Sequence, residues 1–282
     1  MLNDPWIAAL FALFIWWFST GAILMAVRYA DRRGARAGHM ATVFALPMLA
    51  AGVVGILYES APLIVTDGGE MVHGVNTIYI SFLSALAIWG WIEMAFLTGT
   101  VTGPNRRVCP DHVPEWERFI RAWGTIAYHE MVLVAALIGL WFFGRESHNI
   151  FAFWTFAVLF FARISAKLNL FLGVPKINTE FLPSALSHLP SHFRNARLNW
   201  LFPMSITALS FAVACWLERI YSATTTADVI GFALLAAFTA LALLEHWFMV
   251  LPLPDEKLWR WMLPAPKQKL PQDRRSEDAH GL

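Results

Sequence analysis

Apolar runs separated by short polar breaks account for most of this chain. Seven runs are long enough to cross a hydrocarbon core of about 30 Å, which takes roughly 20 helical residues. They lie near 6–27, 41–64, 77–98, 124–143, 150–172, 201–217 and 228–250. Pro47 interrupts the second and the sixth is short. Backbone at membrane depth must satisfy its own hydrogen bonds, so both are read as helices. The pattern predicts an all-α polytopic membrane bundle of seven transmembrane helices, a single domain over 1–263. A polar, Pro-rich tail at 264–282 is expected to be disordered.

Charge in the breaks adds an orientation. Arg28, Arg32, Arg33 and Arg36 cluster at the first break, whereas 65–76 has no Lys or Arg. The third break carries Arg106, Arg107, Arg118 and Arg121, and the fourth only Arg145. Lys176, Arg194 and Arg197 fall in the fifth, and Arg219 alone in the sixth. The tail is basic again, from Lys257 to Arg275. By the positive-inside rule this alternation predicts a periplasmic N-terminus and a cytoplasmic C-terminus. Two of the cytoplasmic segments look like more than linkers. The stretch 113–123, VPEWERFIRAW, alternates charge with aromatics and predicts an amphipathic helix lying on the membrane surface. The stretch 173–199 is too apolar for a plain connection and predicts short helices folding back over the bundle. There is no repeat at a fixed period, which argues against an inverted-repeat transporter.

Composition agrees with the pattern: 57% hydrophobic residues, a mean hydropathy of +0.52 and 15% charged residues describe a membrane protein. A net charge of +1 leaves no basic surface for a nucleic-acid partner. Cys109 and Cys215 are too few for a disulfide framework. The N-terminus lacks a basic segment and a cleavage site, so it reads as the first span. The 14 Trp and 22 Phe suit interfacial belts and contacts with large apolar ligands.

Candidate chemistry lies inside the spans. Glu93 is in the third, His129 and Glu130 in the fourth, Arg163 and Lys167 in the fifth, Glu245 and His246 in the seventh. In the predicted orientation all seven fall in the cytoplasmic third of the bilayer, which predicts one shared cluster. A charge at depth costs roughly 2.5–3.5 kcal/mol on insertion scales, so such a cluster needs a reason. One reason is a polar network that fixes helix packing. A second is a ligand pocket in which His129, Glu130, Arg163, Lys167, Asn169 and His246 hold a large amphipathic molecule. That molecule would carry an anionic group, or a tetrapyrrole metal ligated by a histidine, as in bacteriochlorophyll or a precursor. A third is an iron, manganese or zinc site built from Glu93, His129, Glu130, Glu245 and His246, capped by His188 and His192. Against the metal, Leu133 stands where the zincin pattern needs His, and Ile126 and Leu243 stand where Glu-x-x-His needs Glu. No catalytic motif is present, and whether the protein is an enzyme stays open.

Four blocks carry a family resemblance: FALFIWWFSTGAILMAV, YHEMVLVAALIGLWFF, FARISAKLNLFLGVPKINTEFLPSALSHLPSHFR and LLEHWFMVLPLPDEKLWRWML. Together they resemble the PuhE family, photosynthetic complex assembly protein 2, over all but the polar tail. The resemblance implies a multi-pass protein of the bacterial inner membrane. It implies a role in forming the reaction centre–light-harvesting 1 complex, with its subunits, other assembly factors and membrane lipid as partners, or in supplying bacteriochlorophyll to it. It transfers no site residue. The alternative is a membrane metal-dependent oxidoreductase acting on a tetrapyrrole, quinone or carotenoid.

Overall fold

Asp4 accepts a hydrogen bond from the Trp6 amide at 2.8 Å and Pro5 takes the first helical position, so the chain enters its first helix cleanly. The computed structural model describes residues 2–59, 64–65, 71–147 and 149–252. Its helices are α1 (Pro5–Asp31), α2 (Ala35–Phe44), α3 (Leu46–Glu59), α4 (Val75–Leu97), α5 (Glu115–Ser147), α6 (Phe151–Leu172), α7 (Leu201–Ser222) and α8 (Thr226–Phe248). Counting α2 and α3 as one, seven helices among the described residues are long and apolar enough to cross a membrane. The protein is thus a multi-pass helical membrane protein. The tail expected at 264–282 lies outside the described residues.

The break between α2 and α3 has a local cause. Pro47 has no amide proton to give the carbonyl one turn earlier. Trp91 Nε1 on α4 donates to the Thr42 carbonyl at 3.1 Å beside this kink. The hydroxyls of Thr42, Thr98 and Thr100 lie 2.8–3.2 Å from one another and tie α2 to the end of α4. Beyond the kink, α3 approaches α4 through Gly52 and Gly55, where an added Cβ would meet the Ser84 carbonyl at 2.9 Å and Ser84 Oγ at 2.0 Å. Small residues at such contacts let membrane helices close on one another. The helical run expected to reach residue 64 stops at Glu59. Ile64–Val65 and Met71–Val72 pair as a minimal antiparallel ladder, a small departure from an all-α chain.

Helices α4 and α8 form the centre, with 61% of each spanning window buried, against 11–28% for the other five. Ile78 and Phe82 of α4 meet Ile230, Leu234 and Phe238 of α8 there, and the Phe82 and Phe238 rings pack edge to face at 4.9 Å. A second cluster joins α4 to α5 and α6 through Ile88, Ile92, Leu133 and Phe156.

The surface helix expected at 113–123 is instead the start of α5, a continuous 33-residue helix. At 1.5 Å per residue it is about 50 Å long, so its first turns project past a 30 Å core. Gly124 does not break it, because a single glycine costs a helix only about 1 kcal/mol. The close approach here depends on Gly103, whose added Cβ would lie 2.1 Å from the Gly124 carbonyl oxygen, whereas one added at Gly124 would meet only Asn105 Cβ at 3.3 Å. The loop after α4 therefore lies directly on the α5 backbone. Asn105 N donates to the Gly124 carbonyl at 3.0 Å, and His129 N donates to the Thr102 carbonyl at 2.9 Å.

The long connection after α6 folds back under the bundle in two 3-10 turns, Ser184–Leu186 and Leu189–His192. Leu186 and Leu189 pack on Phe96 at the end of α4. Ser184 donates from its amide and its hydroxyl to the Asp31 carboxylate at the end of α1.

Candidate functional site

The ionisable residues converge where α4, α5, α6 and α8 meet, toward the end of the bundle that carries the basic loops. Arg163 and Lys167 are one helical turn apart on α6, so both face the same wedge. Arg163 donates to Glu93 Oε2 at 2.6 Å, and Lys167 donates to Glu130 Oε1 at 2.5 Å. Between the two ion pairs sits His129, wholly buried, with its ring against Phe96 at a centroid distance of 4.4 Å. His129 Nε2 lies 3.8 Å from Glu93 Oε1, too far for a hydrogen bond. The Lys167 ammonium also stands 5.5 Å from the centroid of the Phe96 ring. Glu245 lies at the edge of the group, exposed on α8, with Arg163 and Glu93 in electrostatic range and Trp16 in hydrogen-bond reach.

His246 does not join this cluster. It follows Glu245 by one residue, which turns it about 100° around α8. Its Nδ1 donates to the Ala242 carbonyl at 2.7 Å, and its Nε2 lies in hydrogen-bond contact with Ser165 Oγ at 2.8 Å. Ser165 is also 2.9 Å from Ser205. Asn169, expected in the same pocket as Arg163 and Lys167, is fully buried and donates to Ser205 Oγ at 3.0 Å. Asn199 continues the chain, donating to Asn169 Oδ1 and capping α7 through the Leu201 and Phe202 amides. Two polar networks therefore occupy opposite faces of α6. The signal for the second is in the spacing: Ser165 and Asn169 are one turn apart, offset from Arg163 and Lys167 by two residues. Ser205 and Asn199 carry no comparable signal.

His188 and His192 sit apart in the folded-back connection. Both are buried, and burial holds both imidazoles below their usual pKa. His192 Nδ1 lies near the His188 carbonyl and Ser191 Oγ, and the Nε2 atoms of both rings have no hydrogen-bond partner among the described residues.

Among the described residues no three of His, Cys, Asp and Glu are grouped to hold a metal ion. Glu93 and Glu130 instead bond to cations, and His246, His188 and His192 lie elsewhere. Both nitrogens of His246 are engaged, whereas both ring nitrogens of the buried His129 have no hydrogen-bond partner among the described residues.

The comparisons with known proteins agree in extent. The "Uncharacterized 30.4 kDa protein in puhA 5'region" of Rhodobacter capsulatus is 54% identical over 265 residues, covering 94% of this chain and 93% of that protein. No solved structure matches. A family model described as "Protein of unknown function (DUF3623)" matches residues 2–270, nearly the whole length, and the chain belongs to that family.

Proposed function

We propose that this protein is an assembly factor for the bacterial photosynthetic reaction centre–light-harvesting 1 complex, and that it engages its cargo through the Glu93–Arg163 and Glu130–Lys167 cluster. The observation that carries the reading is the 54% identical relative, named for its position 5′ of puhA. That gene name shares its stem with the PuhE family, which the four sequence blocks resemble. A multi-pass bundle with ionisable groups at membrane depth, and with no grouped metal ligands among the described residues, suits a binding role better than a metal-dependent oxidoreductase. The cargo is bacteriochlorophyll or a pigment–protein intermediate that carries it. The bacterial inner membrane is the site of action, with the basic end of the bundle in the cytoplasm.

Deleting the gene in its phototrophic host tests the reading. The expected result is loss of the near-infrared bands of the assembled complex while bacteriochlorophyll remains extractable, with recovery on reintroducing the gene. Normal levels of complex in the deletion strain overturn it. Arrest at a pigment precursor would point to the oxidoreductase instead.

A further inference from the structure

Five polar atoms of the cluster are buried without a hydrogen-bond partner among the described residues: Glu93 Oε1, Glu130 Oε2, both ring nitrogens of His129, and Arg163 Nε. The Glu93 and Glu130 side chains are only 9% and 10% exposed, and His129 is 0% exposed. Native proteins satisfy nearly all buried polar groups, since each orphan costs about 1–3 kcal/mol. Five at one place, each already beside an ion pair or a packed ring, mark a place where something else binds.

The inventory of these atoms describes what fits. The two carboxylate oxygens only accept, and Arg163 Nε only donates. A neutral imidazole adds one donor and one acceptor whichever tautomer it adopts. A phosphate or carboxylate, which accepts only, would leave three of the five unmet and face two carboxylates. A metal cation would face Arg163 and Lys167. A neutral head that bears hydroxyl donors and oxygen acceptors complements both kinds of atom.

There is also a way in. The Arg163 side chain is 39% exposed although it lies well inside α6, and Glu245 beside it is exposed on α8. From Val158 to Leu168 no residue of α6 is fully buried, so this half of the helix is not closed over. Polar groups that open at this depth are reachable by a molecule dissolved in the surrounding lipid.

We infer that the cluster between α4, α5 and α6 is a binding site for a neutral amphipathic molecule whose head carries hydroxyl groups, the chemistry of a phenol or quinol, entering sideways past Arg163 and Glu245. The inference rests on reading the cluster as a functional site and not a packing network, and it requires no proton or electron transfer. The hydroxyls donate to Glu93 Oε1 and Glu130 Oε2, and the head oxygens accept from Arg163 Nε and the His129 donor.

The test uses the full chain in phosphatidylcholine nanodiscs, with decylubiquinol, decylubiquinone and decylphosphate as probes and empty nanodiscs as the partition control. Decylubiquinol is expected to bind saturably. Decylubiquinone, which lacks the donors, should bind at least about tenfold more weakly, the worth of one hydrogen bond. Decylphosphate should show partition only. The variant His129→Phe keeps a ring against Phe96 and should weaken decylubiquinol binding by about tenfold. Partition alone for all three probes means that water satisfies these atoms, and it overturns the inference. Equal binding of decylubiquinol and decylphosphate, or unchanged binding in His129→Phe, does so too. If His129→Phe does not fold, the probe series on the unmodified protein decides alone. A deletion strain with normal photosynthetic complexes would sink the assembly role and leave this binding result standing.

Discussion

Lys167 holds the Glu130 carboxylate inside the bundle at 2.5 Å, with 19% and 10% of the two side chains exposed. Removing one partner leaves a buried charge uncompensated, which is worse than removing both. Lys167→Met is expected to lose about 3 kcal/mol of stability, and adding Glu130→Gln in the same chain should recover part of it. Thermal unfolding of the two single variants and the double variant in one detergent measures the difference. His188 and His192 set a pH response of a definite sign. Burial lowers both folded pKa values, so the unfolded chain takes up protons first, near pH 6.5. Their contribution is complete above that pH and is lost as pH falls toward the lowered folded values. The melting temperature should therefore drop between about pH 7.5 and about pH 5.5. His188→Gln combined with His192→Gln should flatten that drop. Asn199 bonds the Gly173 carbonyl at 2.7 Å as well as capping α7, so Asn199→Ala should cost about 1–2 kcal/mol in the same assay.

At the scale of elements, α5 shows what a hydrophobic pattern can and cannot reveal. The run 124–143 marks a span, and the charge alternation of 113–123 marks an amphipathic surface. Neither states that the two are one helix, because Gly124 lies at the change of character and reads as a boundary. Its carbonyl takes the close approach of Gly103, which sits on a loop distant in space until the chain folds. Gly103→Ala should therefore be among the most damaging single-methyl changes, since its Cβ would also fall 2.6 Å from the Thr125 carbonyl carbon. A fall of several degrees in melting temperature, or loss of folded protein, is the expected outcome. Gly139→Ala, with open space around it, is the control and should be silent. Azimuth was the other hidden quantity. Depth follows from loop charge, so Glu93, His129, Glu130, Arg163 and Lys167 could be brought to one level from sequence alone. Glu245 and His246 share that level too, yet adjacent helical residues face about 100° apart and end in different networks.

For the whole molecule, seven spans and their order were legible because each apolar run exceeds a membrane thickness. The kink at Pro47, the threonine tie between α2 and α4, and the folded-back 3-10 turns depend on contacts between segments far apart in sequence. Hydropathy carries no record of those. The alternation of basic and bare loops makes one further prediction about the assembled protein. Alkaline phosphatase fused after the last residue should be inactive and green fluorescent protein fused there should fluoresce, if the basic end is cytoplasmic. The reverse result would invert the topology.

The hydrogen bond from the His129 amide to the Thr102 carbonyl has a mechanical consequence. It joins a histidine at membrane depth to the loop that continues through Arg106 and Cys109, whose amide in turn donates to Ser191 Oγ at 2.9 Å. Loop, folded-back turns and buried ring thus form one linkage. A partner that shifts this loop at the basic end would move the wall of the cluster without touching any charged residue in it.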